Sequence, residues 1–337
     1  LSTQGRGFWA LDDVGPLREM ADSLAGRDAV LFAPRTARRV NDRGVSGDRA
    51  PDPRPHGALI HYYLGDDPGA DTRIEILDEA GSVVHAFTAD SAEAERPGRS
   101  ALPEEAGGHR VVWDLMYPGP DRPEDVVIWG YTGGVKAPPG TYRARLVSGG
   151  ETVATRSFDV EGDPRLEEIA QADYEAQHEL GTAVRDTLDA VWDALSRIRE
   201  VKAQAGAAAD RAAGALDGAA ADSARGLADT LTARLSAVES GLTQVKSESG
   251  QDPIRFPPQI DNQYVSLYAY VTGIDGYRYG GAEGRPTEGA RARFRDLNEE
   301  WAGHRSRLER ILDRDLGALN RLLRDEGVPA VVTSGER

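Results

Sequence analysis

The sequence predicts a multidomain chain of β and α structure, in which an antiparallel β-sandwich is followed by an antiparallel helical bundle. Two patterns predict this fold class. Residues 56–162 contain short runs of alternating apolar and polar residues, separated by Gly and Pro turns. Residues 163–328 instead repeat apolar residues at helical spacing. Because strands and helices have different side-chain periods, the change near Asp163 predicts a domain boundary.

The chain opens on a strand with no evident partner nearby. Residues 1–13 contain the run Gly-Arg-Gly-Phe-Trp-Ala-Leu-Asp-Asp, whose successive side chains point to opposite faces of a strand. A single strand cannot bury its apolar residues alone. We therefore expect Phe8, Trp9 and Leu11 to pack in a sheet that this chain does not complete. Residues 14–55 are interpreted as a connector, with a short strand at 29–32, that lies along the neighbouring domain.

Short strands predict the sandwich that follows, and they lie at 59–64, 73–77, 83–87, 110–115, 141–147 and 152–160. The run Asp78-Glu-Ala-Gly81 is typical of a hairpin turn between the second and third of them. Strands of this length, with turns between them, favour an immunoglobulin-like sandwich. Trp113 and Tyr142 are predicted to face inward.

The helical part is predicted to form a four-helix bundle over 163–328, with residues 329–337 as a tail. Asp163 is the expected N-cap and Pro164 the first helical residue. Gly206 and the Ala-rich segment after it are expected to interrupt the first helix. Five leucines are predicted inside the bundle: Leu188, Leu195, Leu235, Leu312 and Leu319.

The amino-acid composition limits the classes of partner that the chain is expected to bind. The net charge of −16 produces a field that repels nucleic-acid phosphates and anionic lipid, so neither nucleic acid nor membrane insertion is expected. No apolar stretch is long enough for a transmembrane helix. The chain has no cysteine, which excludes disulfides, thiolate metal sites and cysteine nucleophiles.

Side chains with catalytic potential do not form a recognisable motif. The six histidines have no metal-ligand spacing, and there is no nucleophile elbow, Walker loop or dinucleotide fingerprint. His61 and His85 are interpreted as structural or surface residues of strands that share a face. Asp114 is interpreted as a turn or edge residue that accepts backbone N–H groups. No catalytic residue, cofactor or metal is therefore predicted.

Tyrosines supply the candidate binding residues. Five side chains near the third helix are possible ligand or interface contacts: Tyr264, Tyr268, Tyr277, Arg278 and Tyr279. Each tyrosine combines an apolar ring with a polar hydroxyl, which suits stacking on sugars or packing at interfaces. The alternative is that Tyr264 and Tyr268 are bundle core while the other tyrosines cover its end.

Several motifs carry a resemblance across nearly the whole chain. They are Gly5-Arg-Gly-Phe-Trp-Ala-Leu-Asp-Asp13, His61-Tyr-Tyr-Leu64, Val112-Trp-Asp-Leu115, Ala137-Pro-Pro-Gly-Thr-Tyr142 and Phe256-Pro-Pro258. With them the chain resembles the C-terminal region of bacterial sortilin-like (VPS10) β-propeller proteins, labelled BNR-repeat or sialidase-like glycosyl hydrolases. Its middle is similar to the Ig-like module of flagellar hook-capping proteins. The resemblance implies that residues 1–13 are the last strand of an upstream propeller, and that the protein is secreted or periplasmic.

Three functions are consistent with these observations. The first is a non-catalytic accessory or assembly region that packs on or orients the propeller and mediates protein–protein contacts. The second is part of a carbohydrate-active glycoside hydrolase that contributes substrate contacts; the resemblance places any catalytic carboxylates in propeller blades outside this chain. The third is a subunit of an extracellular or periplasmic complex that docks through its helices.

Overall fold

A computed structural model describes residues 2–3, 7–8, 13–24, 27–40, 55–65, 71–274 and 283–332. The fold is mixed, with antiparallel and mixed sheets and several helices. The chain divides into two compact units. The sheet unit comprises residues 1–119, 133–178 and 283–285, and the helical unit comprises residues 120–132, 179–282 and 286–337.

The sheet unit contains two short helices, α1 (Gly15–Ser23) and α2 (Ser91–Ala94). Its strands are β1 (Ser2–Thr3), β2 (Gly7–Phe8), β3 (Ala29–Leu31), β4 (Ala37–Arg38), β5 (Ala58–Leu64), β6 (Arg73–Leu77), β7 (Val83–Thr88), β8 (Arg99–Ala101), β9 (Gly107–Trp113), β10 (Met116–Tyr117), β11 (Val135–Lys136), β12 (Gly140–Ser148) and β13 (Glu151–Glu161).

Two larger sheets organise this unit, in addition to the two-stranded pairs β1–β2 and β10–β11. One has six strands in the order β4-β13-β12-β6-β7-β8, and the other has three in the order β3-β5-β9. The ladders are antiparallel except at β13–β4 and β7–β8, which are parallel. The hairpin predicted at Asp78–Gly81 is confirmed, because Gly81 has φ 89° and β6 pairs with β7 across the turn.

Side chains from both sheets build one apolar core. Trp113 and Tyr142 are buried as predicted, and their ring centroids lie 5.0 Å apart. Phe158 packs edge-on against Trp113 at 6.2 Å. Inward residues of β5 and β6, such as Ile60 and Ile76, are wholly enclosed in the same cluster. The alternation read from the sequence therefore identifies the core-facing side of these strands.

The short strand predicted at 29–32 within the connector is confirmed as β3, and a second strand, β4, follows it. β3 pairs with β5, and β4 pairs with the end of β13, so both strands belong to the sheets of this unit. The physical reason is the apolar run at 29–32, in which Leu31 and Phe32 are almost fully buried. Such a run gains more from burial in a sheet than from lying in a solvated connector.

The opening segment has a local partner. β1 and β2 pair in an antiparallel register, with Ser2 opposite Phe8 and Thr3 opposite Gly7. Trp9 and Leu11 lie outside the described residues, so the propeller-packing role proposed for Phe8, Trp9 and Leu11 stays a prediction.

Long helices follow: α3 (Gln171–Ala215), α4 (Ala219–Leu242), α5 (Ile260–Thr272), α6 (Glu288–Ile311), a π-helical segment (Leu312–Leu316) and α7 (Gly317–Asp325). A short 3₁₀ turn spans Asp252–Ile254. The five leucines predicted to lie inside are all buried. The described helices include none that is long and apolar enough to cross a bilayer.

Three sequence predictions about this part are corrected. The first helix begins at Gln171 rather than Pro164, because Asp163 is engaged by the backbone and guanidinium of Arg165 in a preceding turn. Gly206 does not interrupt α3, since Ala205, Ala208 and Ala212 around it are fully buried at helical spacing and alanine has the best helix propensity.

The third correction concerns the tail predicted from residue 329. Val331 is buried, and its N–H and C=O both bond the side-chain amide of Asn320. The N–H of Val332 donates to Gln204. The chain therefore remains attached to the helices at least to residue 332.

Candidate functional site

A cavity of about 220 Å³ opens in the sheet unit. Charged and turn residues form its walls: Arg38, Arg39, Val40, His56, Gly57, Asp114, Leu115, Met116 and Lys136. It combines enclosed volume with titratable groups, which is the combination expected of a binding or catalytic site.

A tight turn shapes one wall of the cavity. Leu115 has φ 63°, the only positive value among the described non-glycine residues. The turn is held by two bonds to Met116: its carbonyl accepts from the indole of Trp113 at 2.9 Å, and its N–H donates to the carboxylate of Asp114 at 3.0 Å. Asp114 is thus a turn residue, as predicted. Gly57 faces the same turn, where an added Cβ would lie 2.1 Å from the carbonyl oxygen of Trp113.

Two cations hold one buried carboxylate beside the cavity. The guanidinium of Arg39 donates to Glu283 from Nε at 3.0 Å and from Nη2 at 2.5 Å. Lys136 Nζ donates to the other carboxylate oxygen of Glu283. The side chains of Arg39 and Glu283 are each 4% exposed. Burial lowers the pKa of Lys136, and the adjacent Glu283 carboxylate opposes that shift.

Neutral groups complete this ion cluster of Arg39, Lys136 and Glu283. Arg39 also donates to the carbonyl of Ala137 at 2.9 Å and to the side chain of Gln177 at 2.6 Å. Its guanidinium lies 4.9 Å from the ring centroid of Tyr174. His178 donates from Nδ1 to the carbonyl of Lys136 at 3.0 Å. Each charge is therefore matched by hydrogen-bond partners, as buried ions require.

This arrangement favours a structural role for the cluster. Both oxygens of the Glu283 carboxylate accept from cations, so neither is directed at the cavity as a free base. The cluster fixes the Glu283–Arg285 segment within the sheet unit, and Arg285 adds an exposed ion pair to Asp173 at 2.7 Å. The cluster therefore holds the backbone of this segment in place, and it does not bring a nucleophile together with a base.

The helical unit has a second set of buried polar groups. Glu239 accepts from Arg199 at 2.8 Å and from Lys202 at 2.7 Å, and Arg199 also lies 2.5 Å from Asp125. Asp261, in the first turn of α5, is 1% exposed and accepts from the N–H of Asn262 at 2.6 Å. Burial raises the pKa of Asp261 to about 6.

Asparagine in place of Asp261 should change how stability depends on pH. Between the ordinary pKa of 3.8 and the folded value of about 6, the folded chain binds more protons than the unfolded chain. Wild-type stability therefore falls as pH rises through this window. Relative to wild type, the Asp261→Asn variant should gain up to about 3 kcal/mol between pH 4 and pH 7. Urea denaturation at a series of pH values measures this difference.

The matched control is Asp229→Asn, which removes an exposed carboxylate from α4. Its stability difference from wild type should stay nearly flat over the same pH range. Parallel pH profiles for Asp261→Asn and wild type would contradict the raised pKa.

The predicted tyrosine contacts divide into two groups. Tyr264 and Tyr268 are fully buried, the hydroxyl of Tyr264 donates to Asn298 at 2.8 Å, and Tyr268 stacks on Tyr131 at 5.8 Å. Rings enclosed in this way present no face to a sugar, so these two residues fit the core alternative. Tyr277, Arg278 and Tyr279 lie outside the described residues.

The histidines predicted to share a face lie in different sheets. His61 is in β5 of the three-stranded sheet, and His85 is in β7 of the six-stranded sheet. Burial lowers the pKa of His85 to about 4, and its ring packs 4.7 Å from that of Phe87. His85 is thus a half-buried, neutral residue at pH 7. Burial also lowers the pKa of His61, against the pull of Asp13 at 3.7 Å.

No sequence pattern points to the residues of either polar cluster. Lys136 is the one cluster residue of the sheet unit that the sequence makes conspicuous, because lysine is rare in this chain and occurs elsewhere only at Lys202 and Lys246. Glu283 is not conspicuous, since it lies in a glycine-rich loop with no strand or helix pattern. Compared with known proteins, the chain matches no family model and no curated protein.

Proposed function

We propose that the chain is a non-catalytic accessory and assembly region of an exported β-propeller protein. In this proposal an Ig-like β-sandwich packs on or orients the propeller, and a four-helix bundle contributes further protein–protein contacts. The partner is the upstream propeller, as a domain or a separate chain, in a secreted or periplasmic protein.

One observation carries the proposal: two buried carboxylates, Glu283 beside the cavity and Glu239 in the helical unit, are each neutralised by two cations. Glu283 is saturated by Arg39 and Lys136, and Glu239 is saturated in the same way by Arg199 and Lys202. A hydrolase needs a carboxyl group that is able to exchange a proton with substrate. Carboxylates that are each paired with two cations instead favour a structural region that stabilises its own fold and binds other proteins.

The edge of β13 supports the binding part of the proposal. β12 pairs with β13 along its length, whereas β4 reaches only Val160 and Glu161. Among the described strands, none pairs with the other edge of residues 151–159. This stretch is rich in β-branched residues, and Val153 is 43% exposed. Such an edge suits the addition of a strand from a partner, which also protects it from aggregation.

Cross-linking of the native, full-length gene product tests this proposal. A carboxylate-reactive cross-linker is the appropriate reagent, because the chain has many acidic residues and only three lysines. We expect links from Glu151 and Asp159, at the edge of β13, to propeller residues. An upstream reading frame without a propeller, or links confined to this chain, would refute the proposal.

Purified chain alone is expected to hydrolyse no glycoside. Glycosidases need two carboxyl groups roughly 5–10 Å apart across a sugar-sized cleft, and the two buried carboxylates with cation partners are not available for that role. A panel of chromogenic glycosides measures hydrolysis, and a glycan array measures sugar binding. Turnover that disappears when one Asp or Glu is changed would favour the hydrolase alternative.

A further inference from the structure

The helical unit contains an arginine-lined pocket that the proposed function does not use. Its volume is about 480 Å³, within the range of roughly 300–1,000 Å³ typical of small-molecule sites. One residue of α4, three of α6 and three of the π-helical segment line it: Arg234, Arg307, Arg310, Ile311, Asp313, Arg314 and Asp315.

The helices bring these arginines together by simple geometry. Arg307 and Arg310 are three residues apart on α6, so their side chains leave the same face of the helix. Arg314 follows in the π-helical segment, a rare irregularity that frequently occurs at functional sites. The buried side chains of Leu312 and Leu316 anchor that segment to the core, while Arg314 is exposed.

The pocket carries a net positive charge. Four arginines against two aspartates leave a formal charge of +2 in a chain whose net charge is −16. Asp315 is engaged by Arg234 at 2.6 Å and 2.8 Å. Within the described part of the chain, Arg307, Arg310 and Arg314 have no carboxylate at ion-pair distance. Three guanidinium groups thus converge without an internal counterion.

We propose that this pocket binds a small phosphorylated molecule through a phosphate or diphosphate group. Guanidinium groups present planar pairs of N–H donors that match phosphate oxygens in a bidentate manner. Three guanidinium groups offer more N–H donors than a single carboxylate can accept. The volume of the pocket also leaves space for an organic part beside the phosphates. The negative field of the remaining surface discourages non-specific anion binding, so saturable binding reports the pocket itself.

Isothermal titration with inorganic diphosphate and with inorganic phosphate in low-salt buffer tests the proposal. We expect saturable binding that is tighter for diphosphate and weaker at high salt, because added ions screen exposed charges. The triple variant Arg307→Gln, Arg310→Gln, Arg314→Gln should weaken diphosphate binding by at least about tenfold. All three side chains are exposed, so the variant keeps the core intact.

Two single variants separate the pocket from general charge. Arg324→Gln removes an exposed cation of α7 outside the pocket and should leave the affinity unchanged. Asp313→Asn removes a negative charge from the pocket and should tighten binding severalfold. The proposal is overturned if wild type binds no diphosphate at low salt, if the triple variant binds as wild type does, or if Arg324→Gln weakens binding equally.

Discussion

Replacement of Trp113 by alanine should lower the free energy of unfolding by about 3–5 kcal/mol. The indole is fully buried between the two sheets, where it contacts the rings of Tyr142 and Phe158. Its removal loses this apolar contact and leaves a cavity in the core. The carbonyl of Met116 also loses the N–H donor that helps to hold Leu115 at positive φ.

Chemical denaturation measures the loss of unfolding free energy. Hydrogen exchange of the amides in β5 and β9 shows whether the loss arises in these strands. Phenylalanine at position 113 retains a ring without the donor, so the difference between Trp113→Phe and Trp113→Ala separates packing from the hydrogen bond. Val153→Ala is the surface control, because Val153 is 43% exposed and its change should stay within about 0.5 kcal/mol. A Trp113→Ala variant as stable as this control would contradict the shared core.

The sequence was informative wherever a periodic pattern was long enough. The strands at 73–77 and 83–88 match their predicted ranges closely, because apolar residues recur over several positions of each run in the sequence. Strands β8, β10 and β11 have only two or three residues each, and no pattern can arise at that length. Their places are decided by tertiary pairing, which local sequence does not encode.

Periodicity also failed to assign roles to aromatic residues. Tyr264 and Tyr268 are four residues apart and share a helix face, which fits equally well with a core stripe and with a binding surface. Burial distinguishes the two, and burial depends on which helices pack around α5. The same limit applies to Arg307, Arg310 and Arg314, whose spacing was readable while their convergence with Arg234 on α4 was not.

The ion cluster of the sheet unit was the least predictable feature. Arg39, Lys136 and Glu283 come from three distant parts of the sequence, and the residues around each of them are typical of turns or loops. A charged residue in such a context is ordinarily solvated. Only the folded chain shows that these three side chains share one buried site, and this makes their removal the second informative test.

Glutamine in place of Glu283 should lower the free energy of unfolding by about 3–5 kcal/mol. The substitution keeps the size of the side chain and an oxygen that accepts from Arg39, but it leaves two buried cations without a counter-charge. Glu161→Gln is the matched control, because Glu161 pairs with the neighbouring Arg38 at 3.3 Å while both side chains are more than half exposed. That exposed pair should contribute about 1 kcal/mol or less.

The pH dependence of the Glu283→Gln variant identifies the cause of its instability. Glu283 opposes the lowering of the Lys136 pKa, so its loss should lower that pKa further from the ordinary value of 10.5. Between the two values the unfolded chain binds more protons than the folded chain, and stability therefore rises with pH. The deficit of Glu283→Gln should shrink as pH approaches about 10, whereas the small deficit of Glu161→Gln should not. Urea denaturation across this range measures both variants. A deficit for Glu283→Gln that matches the control, or that is independent of pH, would show that the buried cations do not need their carboxylate.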